Sequence, residues 1–265
     1  MTRNSPLLSS LETGRPVTGF AHMVQDLAVT EIFQDTDVDF VLIDMQHIAM
    51  TIETLQSVLI ALQPSAASVM VRPTANDPVL IGQILDVGAD ALIVPMVNSA
   101  DDARRAIGAA RYPPDGTRSW GPRRTSWLGG SAEYARDAND SIAVFTQVET
   151  AEAVEHLDEI LAVPGLAGIM IGPGDLAISL GYSHDRDNPA VGRVIQGVLD
   201  RCLETRIPFG FFAATTAQAA YWMERGALVM TCGSDVGIVA AGVSELTASL
   251  RSMAKAGRAT AGKGG

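Results

Sequence analysis

The chain has 265 residues, of which 47% are hydrophobic, and 30 acidic against 19 basic side chains give a formal net charge of -11 at pH 7. This length suits one barrel-sized domain, and the apolar fraction is enough for a large core. The charge disfavours nucleic acid and anionic membrane, since short basic clusters occur only as Arg104-Arg105 and Arg123-Arg124, and leaves room for a small anion gripped by one or two arginines.

The opening stretch MTRNSPLLSSLETG has no apolar segment of a secretion signal, and no run reaches the roughly 20 apolar residues of a membrane helix. The two cysteines, Cys202 and Cys232, lie far apart without a CxxC or Cys/His partner; they read as reduced thiols in or near the core, and a cytoplasmic location is expected. The only lysines, Lys255 and Lys263, fall in the Gly/Ala-rich tail AKAGRATAGKGG. Schiff-base chemistry needs a buried amine, so it is close to excluded.

Eight apolar runs of strand type follow one another, at 17–23, 40–45, 68–72, 91–97, 142–148, 167–172, 208–213 and 228–232. Their near-continuous apolar character marks strands buried on both faces. Helices are predicted between them over 51–63 from a Thr start, 77–88 opening on Asp77-Pro78, 100–110 opening on Asp101, 150–161, 189–204 and 216–225, with a last one at about 240–254. This alternation predicts an α/β fold, a (β/α)8 TIM barrel over residues 1–254, followed by a flexible tail over 255–265. The irregular stretch 112–140, with Trp120 and Trp127, is expected to serve function or an oligomer contact. The segment TCGSDVG (231–237) predicts a plain turn in which Asp235 caps a helix.

Several of these runs finish in one polar residue: Asp44 and His47 after VLI, Arg72 after SVMV, Glu149 after VFTQV and Asp175 after IMIGPG. In a (β/α)8 barrel such residues converge on one mouth. Glu149 and Asp175, at neighbouring strand ends, form a candidate site for one hard divalent cation. Each also has a plainer role open to it: Asp175 as N-cap of LAISL, Glu149 in the first turn of the next helix. Arg72, held extended by the proline after it, offers a two-pronged grip on a carboxylate. His47 is a candidate general base, with Asp86 or Asp44 to orient it.

Taken together, IDMQH (43–47), VRPTANDPVLIGQILDVGADALIVPMV (71–97), RYPPDGTR (111–118), QVET (147–150) and IGPGDLAISLGY (171–182) resemble the HpcH/HpaI family of class II, metal-dependent 2-oxoacid aldolases, in matching order from about residue 17 to residue 250. The resemblance implies a pyruvate-type barrel cleaving a 4-hydroxy-2-oxoacid to pyruvate, or hydroxypyruvate, and an aldehyde through a chelated enolate. It implies a divalent ion (Mg²⁺, Mn²⁺ or Co²⁺) on Glu149 and Asp175, pyruvate-binding positions at Gln147, Pro173 and Gly174, and Arg72 stabilising the enolate. His47 would pair with Asp86 in proton transfer. It also implies a homo-oligomer, trimer or hexamer, with the C-terminal helix exchanged between neighbours. The chain departs from the family at Gln46, where a Glu is usual, in the loop WGPRRTSWLGG, and at Phe212, an aromatic near the substrate pocket where an aliphatic is usual; a changed aldehyde preference follows. The rival readings are an acyl-CoA lyase of the malyl or citryl type and a non-catalytic barrel acting as a binding module.

Overall fold

A computed structural model describes residues 6–122, 124–125 and 130–261. The eight apolar runs form eight parallel strands: β1 (Val17–His22), β2 (Phe40–Asp44), β3 (Ser68–Arg72), β4 (Ala91–Val94), β5 (Ala143–Val148), β6 (Gly168–Ile171), β7 (Phe209–Ala213) and β8 (Val229–Ser234). They pair in chain order, and β8 closes on β1 to give the expected (β/α)8 barrel. Along each strand alternate residues take opposite sides. Phe40, Leu42, Met70, Ile93, Phe145 and Met170 fill the interior, whereas Val41, Ile43, Val71, Leu92, Val144 and Ile171 pack outward against the helices. The interior is tight enough to require glycine at Gly210, where a Cβ would lie 2.1 Å from the Met170 sulfur.

Helices return the chain from each strand end to the next strand start. They are α1 (Pro6–Glu12), α2 (Leu27–Ile32), α3 (Ile52–Ala61), α4 (Pro78–Asp86), α5 (Ala100–Ala110), α6 (Ser131–Ser141), α7 (Ala151–Glu155), α8 (Leu157–Leu161), α9 (Pro173–Ser179), α10 (Pro189–Thr205), α11 (Thr216–Met223) and α12 (Asp235–Ala261). Thr51, Asp77, Thr150 and Thr215 each accept a backbone N–H at a helix start, as N-caps do. Helix α5 is capped by Ser99 rather than opening on Asp101. The single helix expected over 150–161 is two, parted at His156, whose Nδ1 lies 3.1 Å from the carbonyl of Asn98.

Helix α1 covers the strand-start end of the barrel: Leu7 and Leu11 are buried in one cluster with Phe40, Met70, Phe145 and Val229. Cys202 is buried and Cys232 half-buried, both as free thiols.

The last helix differs most from expectation. It begins at Asp235 and runs to Ala261, past the boundary at 254, its alanines being strong helix formers. Its first residue is anchored. Asp235 Oδ2 lies 2.8 Å from His22 Nδ1, and the carboxylate accepts the N–H groups of Met23 and Val24. His22 Nε2 lies 2.8 Å from Thr30 Oγ1 on α2. Beyond this anchor Val239, Val243, Leu246, Leu250 and Met253 are exposed.

Candidate active site

Asp44 ends β2 and Arg72 ends β3, directly paired across the two strands. Both side chains turn inward at the mouth. Asp44 Oδ1 accepts from Arg72 Nε at 3.0 Å and Oδ2 from Nη2 at 2.5 Å, a two-pronged pair. The remaining nitrogen, Nη1, reaches Gln147 Oε1 at 3.4 Å, and the guanidinium carbon lies 5.3 Å from the centre of the Phe212 ring.

Glu149 follows the last residue of β5 and is 1% exposed. Its Oε1 accepts the N–H of Met96 at 2.7 Å and its Oε2 accepts from Gln147 Nε2 at 2.5 Å. Met96 adopts φ 54°, a left-handed conformation rare for a side chain of its size. That donor is a backbone group after β4, and no residue type in the sequence could announce it. Gly172 is equally necessary, since a Cβ there would sit 2.7 Å from Gln147 Nε2 and 2.8 Å from Glu149 Oε2.

Asp175 lies exposed in the first turn of α9, which starts at Pro173. It does not cap LAISL, and Thr150 rather than Glu149 opens the helix after β5. Burial pushes the Glu149 carboxyl above the usual carboxylate range, and the negative charge of Asp175 adds to this against the Met96 N–H, Arg72 and Gln147. A buried carboxyl whose ionisation a second carboxylate makes costlier suits a cation shared with it, because the ion's charge removes the penalty. Among the described residues no group of three or more His, Cys, Asp or Glu converges on one point. Glu149 and Asp175 could therefore hold a hard ion that keeps other positions for water or substrate. Pro173 is buried beside them, and a Cβ on Gly174 would lie 2.8 Å from His184, a neighbour the sequence did not single out.

His47 is exposed on the bend after β2 and has no hydrogen-bond partner among the described residues. Neither candidate orienter is near it in a usable way. Asp44 is taken up by Arg72, and Asp86 pairs with Arg118, Nη2 to Oδ1 at 2.7 Å. Asp86 is the last residue of α4, which returns the chain from the end of β3 to the start of β4; it lies at the opposite end of the barrel from His47. The described part of the loop after α5 lies there too: Arg111 donates to the carbonyl of Gly165 before β6, and Arg124 to those of Leu59 and Val87. Within one chain the described residues of this loop do not line the mouth. Trp127 falls outside the described residues. The N–H of Gln46 donates to Asp44 Oδ1 at 2.9 Å, and its buried Oε1 has no partner among the described residues.

The profile of the HpcH/HpaI aldolase/citrate lyase family matches residues 22–241. The chain belongs to this family. A relative from Salmonella arizonae (strain ATCC BAA-731 / CDC346-86 / RSK2980), 4-hydroxy-2-oxo-heptane-1,7-dioate aldolase, is 37% identical over 90% of this chain and 92% of its own length. Among solved structures, a HpcH/HpaI aldolase/citrate lyase family protein from Burkholderia cenocepacia J2315 is 29% identical, with a TM-score of 0.88 over 93% of this chain and 99% of that one. The citrate synthase SbnG is 27% identical, with a TM-score of 0.86 over 96% of this chain and 100% of that one.

Proposed function

We propose that this enzyme is a divalent-metal-dependent aldolase that cleaves a 4-hydroxy-2-oxoacid reversibly to pyruvate, or hydroxypyruvate, and an aldehyde. Its standing as a carbon–carbon lyase follows from the family and from relatives that are aldolases. One observation carries the rest: a guanidinium fixed by Asp44 faces the same small space as Gln147 and the buried carboxylate of Glu149.

Glu149 and Asp175 would hold the ion, which supplies Lewis-acid polarisation of the 2-oxo group when bound. Arg72 offers Nη1 to the same oxygen. As the bond between C3 and C4 breaks, its electron pair moves into the 2-oxo unit, and the charge arriving on oxygen is met by a donor that need not reorganise. Gln147 and the backbone at Pro173 and Gly174 orient the acid, and Phe212 walls the side where the aldehyde leaves. The proton of the 4-hydroxyl departs to a base and C3 regains one from solvent or that base; His47, exposed at the mouth, is assigned this role.

Asp86 can support His47 only from a second copy, since the two sit at opposite ends of one barrel. Docking of a mouth against the strand-start end of a neighbour, with the apolar row of α12 exchanged between copies, gives the trimer or hexamer proposed here. The two separate free cysteines support a cytoplasmic protein, and the negative charge supports small substrates rather than a nucleic acid or membrane partner; among the described residues no helix is long and apolar enough to cross a membrane.

The test is a pyruvate-release screen over a panel of 4-hydroxy-2-oxoacids, with Mg²⁺, Mn²⁺ or Co²⁺ added back after chelation and malyl-CoA as the contrasting substrate. Metal-dependent release from an oxoacid is the expected result. Turnover of malyl-CoA alone would move the reading to an acyl-CoA lyase.

A further inference from the structure

Arg118 is a cation buried at an unusual cost. Its side chain is 0% exposed, its guanidinium carbon lies 4.6 Å from the centre of the Tyr112 ring and 5.8 Å from that of Tyr134, and Nη2 meets Asp86 Oδ1 at 2.7 Å. Nε and Nη1 have no partner among the described residues. A guanidinium carries five N–H donors, and leaving some of them dry and unpaired is expensive. The charge persists because Asp86 and the electron-rich tyrosine faces offset the burial.

The counter-ion is the informative half. Asp86 is 28% exposed, and only Oδ1 is engaged. Oδ2 has no donor among the described residues and points past Gly121, where a Cβ would come within 3.5 Å of it. The missing side chain leaves that oxygen open. Trp120, 52% exposed, packs 5.1 Å ring-to-ring from Tyr112, next in the chain to Gly121. A fully buried cation thus pins one oxygen of an aspartate whose other oxygen is offered to the outside. The open oxygen stays available to a further donor.

We infer that Arg118 is a positioning residue for the proton-transfer step: it keeps Asp86 ionised and orients it through Oδ1 so that Oδ2 can take the N–H of His47 from a second copy. The inference rests on the cross-copy reading above. Tyr112 and Tyr134 hold the guanidinium in place, and the substrate never touches it.

Two experiments separate the reading from the inference. Co-refolding His47→Ala with Asp86→Asn subunits tests the pairing between copies. Mixed oligomers should show pyruvate release well above that of either variant alone, and no such gain would overturn the cross-copy pair itself. The second compares Arg118→Met, Asp86→Asn and their double variant on the fastest oxoacid substrate. Each single variant should lose roughly a hundredfold in kcat with KM little changed, and the double variant should lose no more than either. Decarboxylation of oxaloacetate should be spared. Arg118→Lys, which keeps the charge in case Arg118→Met does not fold, should recover part of the rate. Normal kcat in Arg118→Met, losses that add in the double variant, or KM rising in step with the fall in kcat would each remove Arg118 from this role.

Discussion

Asp44 grips Arg72 side-on, Oδ1 to Nε and Oδ2 to Nη2, and so leaves one nitrogen of the fork facing the mouth. An ammonium keeps the charge but cannot be held at two points while a third donor is aimed elsewhere. Arg72→Lys should therefore lose roughly a hundredfold in kcat with a smaller change in KM. Steady-state pyruvate release measures this, and an unchanged kcat would leave Arg72 a structural ion pair.

Metal binding can be read without turnover. Glu149→Ala and Asp175→Ala should each weaken Mn²⁺ binding by roughly tenfold or more in calorimetric titration, since one carboxylate would be left on a divalent ion. Glu149→Gln adds a pH signature. Because the folded-state value is raised, the ionised carboxyl destabilises the metal-free fold as pH rises above the unfolded value. The Gln variant, after chelation, should melt higher than the parent at neutral pH by a degree or more, and this gain should vanish at around pH 4. No gain at neutral pH would argue against this burial penalty.

Phe212 projects inward from β7 onto Arg72 at 5.3 Å. Replacing it with leucine opens space on the side assigned to the aldehyde. We expect Phe212→Leu to change relative kcat/KM among aldehyde acceptors by roughly tenfold while KM for pyruvate in the aldol direction stays within a small factor. Equal changes toward every acceptor would place Phe212 outside the acceptor pocket.

The barrel was legible because its strands are uninterrupted apolar runs, and the mouth because polar residues ending buried runs have few other reasons to be there. Asp44, Arg72 and Glu149 were found in that way. What stayed hidden has one cause: contacts made by backbone or between distant segments leave no mark in composition. The Met96 N–H and the bare face of Gly172 belong to this class, and so does the engagement of Asp86 by Arg118. The irregular stretch after α5 was read as serving function or an oligomer contact, and its end of the barrel was not foreseen: a helix that returns to the strand starts delivers its loop to that end. The helix over 235–261 was cut short in the reading because Gly and Ala together suggested a tail, whereas alanine favours helix.

The anchor of α12 yields a prediction on stability. Burial would raise the Asp235 carboxyl, but the N–H groups of Val24, Met23 and Val236 together with His22 hold it below the usual value. A depressed folded value means that its stabilisation is complete above the unfolded value and fades as pH falls through the folded one. Asp235→Ala should cost about 1–3 kcal/mol at neutral pH, read by denaturant unfolding, with the deficit shrinking in strong acid. A deficit independent of pH would mean that packing, and not the ionised carboxylate, is what matters.

Leu7 and Leu11 close the far end of the barrel and packed side chains fill its interior, so the candidate site opens on one side. Whatever reaches Glu149 enters past Phe212 and Asp175 and retraces the same route.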